Sequence, residues 1–486
     1  MNCAELLEAL NIESGLWVDG QYRTSEGTDA LEVRDPATEE AIATLPSATV
    51  KDALGAVDAA AQAFPRWRSV APRERGEVLR RAFELMIARK ELLAELIVRE
   101  NGKSLSDALG EVAYAAEFLR WFSEEAVRIG GTFKTAPMGE KKILTMHQPI
   151  GVSLLVTPWN FPAAMITRKL GPALAAGCTA IIKPAEETPL TALAIAGILH
   201  EAGAVPGSVN VIATKDPGEV VRACMEDARV RKLSFTGSTA VGKLLYRQAA
   251  DRVVSVSMEL GGNAPFIVFS DANLEIALEA AMVAKMRNGG QACTAANRFY
   301  VQEPIAPQFI AGLSEKMASL QVGPGLDPHS EVGPLISEQQ RQRVESWLEE
   351  ARQGGSRITT GGSRLPRPGY FFKPTVVSEL EPDSQLVRNE VFAPVAPVVT
   401  FSDEEEVIAM ANNTEYGLSS YVMTNDLAKA MRVAEQLEVG MVGINRGLLS
   451  DPAAPFGGVK QSGIGREGSV EGIMEYLEEK YLAFDW

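Results

Sequence analysis

A cysteine follows paired glycines in Asn288-Gly289-Gly290-Gln291-Ala292-Cys293-Thr294. Glycines let the backbone bend and let a ligand approach closely, so Cys293 is a candidate thiolate nucleophile. A helical turn after it would supply N–H dipoles that lower the thiol pKa. The alternative is an inert buried thiol, the usual state of a free cysteine. Glu259 ends the apolar run Val256-Ser257-Met258, just before Leu260, Gly261 and Gly262. Partial burial there would raise its carboxyl toward a useful general-base range; the alternative is an ordinary strand-end glutamate. Thr157-Pro158-Trp159-Asn160-Phe161-Pro162 holds Asn160 in a stiff turn. A fixed side-chain amide can donate to a developing oxyanion, whereas an Asx-turn asparagine would look the same locally.

Two further segments carry nucleotide chemistry. Lys183-Pro184-Ala185-Glu186-Glu187 follows an apolar run directly. Lys183 could meet ribose hydroxyls or phosphate, and Glu186 could accept from both ribose hydroxyls of NAD while repelling the 2′-phosphate of NADP. A solvated charge cluster capping the next helix is the alternative. Phe235-Thr236-Gly237-Ser238-Thr239-Ala240-Val241-Gly242-Lys243-Leu244 is a glycine turn between strand and helix, a place where helix N–H groups face a pyrophosphate. It nearly matches the P-loop pattern, but Leu244 offers no hydroxyl for Mg²⁺. Three classes therefore stand at this level: a nicotinamide-dependent dehydrogenase, a P-loop nucleotide hydrolase, and a non-catalytic binding protein on the same scaffold.

The elements that must position these residues follow from periodicity. Residues 50–128 place Leu, Phe and Ile at three- and four-residue spacings and read as helices. Ile129-Gly130-Gly131 breaks the pattern, and 132–150 reads as an extended ribbon. From 151, short apolar runs at 151–156, 179–184, 208–212 and 232–235 alternate with helical stretches, which implies βαβ units and a parallel sheet. A second alternating block runs from 264 to about 445, with strands at 264–269, 298–302, 395–401 and 441–445. Gly/Pro-rich stretches at 323–334 and 354–369 read as surface loops, and the tail 475–486 as extended. In open α/β sheets, ligands bind beyond the carboxyl ends of strands, which directs attention to residues at strand ends.

Composition narrows the classes further. At 486 residues, 46% hydrophobic and 23% charged, the chain is an ordinary multidomain globular protein. Its 47 Lys and Arg against 63 Asp and Glu give a net charge of −16, which disfavours nucleic-acid backbones. Three histidines (His147, His200, His329) are too scattered for a metal site, and no metal is expected. The four cysteines never approach C-x-x-C spacing, which suits a reducing, cytoplasmic compartment. Cys178 reads as core, Cys224 as structural within a helix, and Cys3 as part of a mobile terminus. No targeting segment is expected in 1–10, which holds Glu5 and Glu8. The uncharged stretch 143–167 is interrupted by Pro149, Pro158 and Pro162, so no membrane helix is expected there.

Taken together, these segments resemble the aldehyde dehydrogenase superfamily. The order is Pro158-Trp159-Asn160, Lys183-Pro184-Ala185-Glu186, Phe235-Thr236-Gly237-Ser238, Glu259-Leu260-Gly261-Gly262, Gly290-Gln291 before Cys293, Asn389-Glu390-Val391-Phe392, and Pro455-Phe456-Gly457-Gly458. The resemblance covers about 14–486. Within the superfamily the chain is most similar to succinate-semialdehyde dehydrogenases, through Ile166-Thr167-Arg168-Lys169, Lys285-Met286-Arg287-Asn288, Gly447-Leu448-Leu449-Ser450 and Gly465-Arg466-Glu467-Gly468.

The resemblance implies an α/β fold. A Rossmann-type cofactor domain would span 1–130 and 151–260, a catalytic α/β domain 261–469, and a small β oligomerisation arm 131–150 and 470–486. It implies Cys293 as nucleophile, Asn160 as oxyanion donor and Glu259 as base, in NAD(P)-dependent oxidation of succinate semialdehyde to succinate. Glutarate semialdehyde or another ω-carboxy aldehyde is the alternative substrate. For the cofactor, NAD with NADP possible, it implies Thr157, Pro158, Trp159, Asn160, Lys183, Ala185, Glu186, Gly218, Thr236, Gly237, Ser238, Val241, Leu260, Glu390 and Phe392. Arg168, Arg287 and Ser450 would bind the distal carboxylate, a role that guanidinium geometry suits. A homodimer or homotetramer is implied as well, since an exposed ribbon is a pairing liability in a monomer. Two departures stand out. Ala295 occupies a position where many relatives carry a second cysteine, so Cys293 lacks an intraloop disulfide partner against over-oxidation. Met258 and Arg446 replace an expected aliphatic and a small polar residue, and Arg446 is expected near the substrate loop.

Overall fold

The computed structural model describes residues 2–485. After a short N-terminal helix, Cys3–Ala9, and four short strands between residues 16 and 46, four helices follow in succession: Val50–Ser69, Pro72–Ala88, Lys90–Asn101 and Leu105–Glu125. Their ends are chemically marked. Thr49 and Asp52 form a capping box on the first. Gly102, at φ 89°, closes the third in the left-handed conformation. Ser104 caps the fourth through Asp107 N.

The first sheet has eight strands. Its parallel centre runs, in spatial order, Ser255–Glu259, Val230–Thr236, Val152–Val156, Thr179–Lys183 and Val209–Val211. The antiparallel pair Leu16–Val18 and Gln21–Arg23 extends one edge, and Gly463–Ile464 lies antiparallel on the other. Strand order reverses between Val152–Val156 and Val230–Thr236, which opens a crevice at their carboxyl ends. The strands are buried on both faces because consecutive residues serve opposite cores. Leu155, Ala180 and Ile182 pack with helices Pro72–Ala88 and Leu105–Glu125. Leu154, Val156 and Ile181 pack with Val50–Ser69 on the other side. Each fully buried Leu or Ile contributes about 1.5–3 kcal/mol.

The second sheet has seven strands, in the order Arg357–Thr360, Thr375–Ser378, Val395–Phe401, Ala296–Gln302, Ala264–Val268, Ser419–Met423 and Met441–Ile444. All neighbours are parallel except the first pair. It too has two cores, Phe266 and Val268 facing one and Ile267 and Phe269 the other. A third, three-stranded ribbon joins Leu477–Phe484, Lys142–Pro149 and Phe133–Thr135. Among the described residues, no helix is long and apolar enough to cross a membrane.

Two local expectations need correction. The stretch 354–369 is not all loop, because Arg357–Thr360 forms an edge strand against Thr375–Ser378. Its β-branched Ile358, Thr359 and Thr360 suit a strand, but the flanking glycines mask that signal. The N-terminus is likewise not mobile around Cys3. Cys3–Ala9 is a helix with an Asn2–Glu5 capping box, anchored by the fully buried Leu6.

Candidate active site

Only residues 260–263 connect strand Ser255–Glu259 of the first sheet to strand Ala264–Val268 of the second. That short link sets the carboxyl end of one sheet against the amino end of the other. Cys293 arrives at the same place just before strand Ala296–Gln302. The two meet closely: a Cβ on Gly262 would lie 2.4 Å from the Cys293 carbonyl oxygen. The loop before the cysteine needs left-handed backbone at Asn288, Gly289 and Gly290 (φ 51°, 59° and 78°). A Cβ on Gly290 would strike the Ala393 carbonyl at 2.3 Å. Glycine is therefore required at 262 for space and at 290 for both space and conformation.

Cys293 is partly open to a pocket that Tyr114, Phe161, Arg168, Arg287 and Ser450 also line. The condition for a lowered thiol, a helical turn after it, is not met, since the chain passes through a turn straight into a strand. Without those dipoles, burial dominates and pushes the thiol up to about 12, against the opposing pull of Arg168 and Arg287. Sulfur here needs a proton acceptor before it can attack.

Glu259 is buried, and neither carboxylate oxygen accepts a hydrogen bond from the protein. Burial, reinforced by the negative charge of Glu467, raises its carboxyl well above the ordinary range, as the sequence suggests. Its backbone is locked on both sides, with Thr236 as its parallel partner and Gly463 as its antiparallel one. Such a fixed, unpaired carboxylate can take a proton from a thiol or a water.

Asn160 is held from several directions. Its carbonyl accepts from Lys103 Nζ and Asn288 Nδ2, each at 2.8 Å, and its Nδ2 donates to the Gln291 carbonyl at 3.1 Å. The second N–H of that amide remains for a ligand oxygen. Lys103 is itself paired with Glu111, both side chains fully buried. Glu111 also accepts from Ala163 N at 2.8 Å, and Asp107 accepts from Asn288 N at 2.9 Å. Asn101 Nδ2 donates to the Trp159 carbonyl at 3.0 Å. Lys103, Asp107, Glu111 and Asn101 were not singled out from sequence. One signal was present: Glu111 falls at the buried spacing of Ala108, Val112 and Ala115, where an unpaired charge would be too costly.

The nucleotide candidates gather around the crevice of the first sheet. Thr157, Pro158, Trp159 and Asn160 continue strand Val152–Val156, and Gly237 and Ser238 continue strand Val230–Thr236. Thr236 Oγ1 is buried without a partner, as is Asn160 Oδ1. Ser238 caps the helix Thr239–Ala250, its Oγ accepting from Val241 N at 3.4 Å, at the helix end where dipoles favour an anion. Lys183 Nζ lies 2.8 Å from Glu186 Oε1, so the two carry a neutral pair at a strand end. Ala185 is buried beside them, Leu260 is buried at the link, and Val241 and Gly218 are exposed at the N-terminal turns of their helices. Glu390 Oε1 accepts from Gly262 N at 3.1 Å, and burial pushes its carboxyl up to about 7. Phe392 adopts φ 52°, a strained value for a bulky residue, and meets the Trp159 ring edge-on at 5.5 Å. These orphaned donors and acceptors at a strand-order reversal fit a dinucleotide. They do not fit a P-loop, because residues 239–243 are already helical and cannot wrap a phosphate, and Lys243 bonds Gln461 instead.

Arg168 and Arg287, distant in sequence, face one pocket. Arg168 is fully buried, its Nε lies 2.8 Å from Glu467 Oε2, and its guanidinium sits 3.8 Å over the Phe456 ring. Lys169 shares the same carboxylate. Burial would raise Glu467, but the two cations outweigh it and hold Glu467 low. Arg287 donates to Ser450 Oγ at 3.3 Å and lies 4.7 Å from the Phe161 ring. Arg446 is exposed, immediately before the Gly447–Ser450 segment, and is not among the residues lining the pocket. Met258 is buried in its strand and Ala295 in the wall behind Cys293.

The sequence matches the model of the aldehyde dehydrogenase family over residues 22–482. It is 52% identical to a succinate-semialdehyde dehydrogenase of Paenarthrobacter nicotinovorans, over 91% of this chain and 98% of that one. It is 47% identical to a glutarate-semialdehyde dehydrogenase of Pseudomonas aeruginosa, over 98% and 99%. Among solved structures, an E. coli enzyme described as NADP dependent superposes with a TM-score of 0.97 at 44% identity, covering 99% of both chains.

Proposed function

The chain belongs to the aldehyde dehydrogenase family, and from that premise we propose that it oxidises succinate semialdehyde to succinate. The observation that carries this reading is the pairing of Arg168 and Arg287 with the Cys293 sulfur around one pocket, in a chain of net charge −16 that otherwise repels anions. Two guanidinium groups suit a distal carboxylate. Glutarate semialdehyde, one methylene longer, is the second reading, favoured by the similarity to a glutarate-semialdehyde dehydrogenase.

In this reading the chemistry is divided among this chain's own groups. Glu259 takes the Cys293 proton, and the sulfur adds to the aldehyde carbon. The Asn160 amide and the Cys293 backbone N–H hold the resulting oxyanion. Residues 157–160, Lys183, 236–238 and Glu390 would hold a nicotinamide dinucleotide, which when bound would accept the hydride lost from the adduct carbon as it becomes the thioester on Cys293. Glu259 releases that first proton to solvent and then takes a proton from water, the water oxygen adds to the thioester carbon, and the thiolate leaves.

The test is a panel of C3–C6 semialdehydes and plain aldehydes, each with NAD and with NADP. Succinate semialdehyde with the highest kcat/KM supports the proposal; an uncharged aldehyde in that place ends it. Glu186 argues for NAD, since its carboxylate repels a 2′-phosphate, and a lower KM for NADP at equal turnover would refute that preference. Arg287→Ala should raise KM for succinate semialdehyde about 10–150-fold, the loss of one charge-assisted contact of ~1.5–3 kcal/mol. Butanal should change little, and equal losses for both aldehydes contradict the carboxylate assignment.

We also assign 1–130 with 151–260 to cofactor binding, 261–469 to catalysis, and 131–150 with 470–486 to subunit pairing. Strand Gly463–Ile464 returns to the first sheet across that division. The ribbon exposes Phe133, Met146 and Tyr481, apolar surface suited to a homodimer or homotetramer. A monomeric mass in solution at micromolar concentration would refute it.

A further inference from the structure

Tyr114 lies on helix Leu105–Glu125 and belongs to none of the segments that carry the chain's resemblance to its family. Its hydroxyl oxygen is buried, lines the same pocket as Cys293, and has no hydrogen-bond partner. A buried hydroxyl is ordinarily paired, and an unpaired one in a pocket calls for an explanation. The ring cannot easily turn to find a partner elsewhere. Phe118, one helical turn on, packs edge-on against it at 4.9 Å, and the Arg287 guanidinium lies 5.6 Å from its centroid.

A second orphan lies beside it. Arg168 Nε lies 2.8 Å from Glu467 Oε2 as an ion pair but makes no hydrogen bond to it, and Nη1 has only the Met165 sulfur at 3.8 Å, a weak acceptor. Nη2 is buried and unpartnered. Arg168 and Tyr114 line the same pocket and pack on the same ring, the Arg168 guanidinium lying 5.5 Å from the Phe118 centroid. The pocket thus holds two unused donors, one neutral and one charged, and a carboxylate is an acceptor-only group with two oxygens to receive them.

We propose that Tyr114 is a specificity-determining residue whose hydroxyl donates to the distal carboxylate of the semialdehyde, alongside Arg168. This rests on the substrate reading above. A tyrosine serving only as an apolar wall would do its work equally well as phenylalanine, with nothing left unpaired.

That contrast sets the experiment. Tyr114→Phe keeps the ring, the volume and the Phe118 contact, and an unchanged thermal midpoint verifies the fold. KM for succinate semialdehyde should rise about tenfold with kcat within about twofold, the signature of lost binding to a charged acceptor. KM for butanal should not move. Calorimetric binding of succinate to the cofactor-free protein should weaken by about the same factor. If the wild type prefers the semialdehyde and Tyr114→Phe leaves that preference and the succinate affinity intact, the role of Tyr114 falls while the substrate reading stands. Equal KM increases for both aldehydes likewise overturn it, marking Tyr114 as structural. A wild type that does not distinguish succinate semialdehyde from butanal removes both.

Discussion

Cys293→Ala should abolish aldehyde oxidation, lowering kcat by more than roughly 10⁴-fold, the scale seen when a covalent nucleophile is deleted. Dinucleotide binding, followed by calorimetry or fluorescence, should stay within about twofold of wild type. The reason for this split lies in the architecture. The sulfur is at the amino end of the second sheet, whereas the dinucleotide candidates, Glu390 and Phe392 apart, gather toward the carboxyl ends of the first. Removing the sulfur leaves the neighbouring backbone anchored, for Tyr421 donates to the Thr294 carbonyl at 2.8 Å and Ala295 N donates to the Ala292 carbonyl. The variant should therefore fold normally. Turnover at more than about one part in a hundred of wild type would show that another group carries the chemistry, and the covalent route would have to be abandoned.

Glu259→Gln should uncouple the two halves of the reaction. A burst of reduced cofactor equal to the number of sites should appear, followed by a steady rate slower by about 10²–10⁴-fold, the usual contribution of a positioned base. The burst requires Cys293 to reach its adduct by losing its proton more slowly to solvent. The stall requires that nothing else in the pocket activates water. Both oxygens of Glu259 are free of protein donors, and Glu467, its nearest acidic influence, is tied to Arg168 and Lys169. The pH dependence has a definite sign. Burial raises the Glu259 carboxyl, so the base form appears only as pH climbs through that raised pKa, and the wild-type rate should rise with pH above the ordinary carboxylate range. Glu259→Gln should lose that limb. A variant with unaltered steady turnover and the same pH profile removes Glu259 from the role.

How far this was legible beforehand differs from residue to residue. Cys293 and Glu259 announce themselves because glycine pairs beside a lone reactive side chain are a local pattern. The structure gives those glycines a reason in the close approach of Gly262 to Cys293. Asn160 was legible as a stiffened amide between prolines, but its restraint comes from elsewhere: Lys103 and Asn288 grip its carbonyl from other elements. The state of the thiol was left open by the sequence. A helical turn after Cys293 would lower its pKa, but strand Ala296–Gln302 follows at once and burial raises it. Nothing local distinguishes those cases, since the choice depends on Ala264–Val268 and Val395–Phe401 flanking that strand.

By itself, the sequence determined the kinds of chemistry available and the alternation of elements, because side-chain type and hydrophobic period are local properties. It also pointed to two α/β blocks, since short apolar runs alternate with helical stretches from 151 onward and again from 264 to about 445. Only the tertiary structure decided which groups share a pocket. Arg168, Arg287, Ser450 and Tyr114 come from separate parts of the chain, and their convergence on Cys293 depends on how the two sheets abut across residues 260–263. It also decided which charges are paired and which are left open. Burial and pairing depend on every neighbour within a few ångströms, and those neighbours are brought together by packing, not by adjacency along the chain.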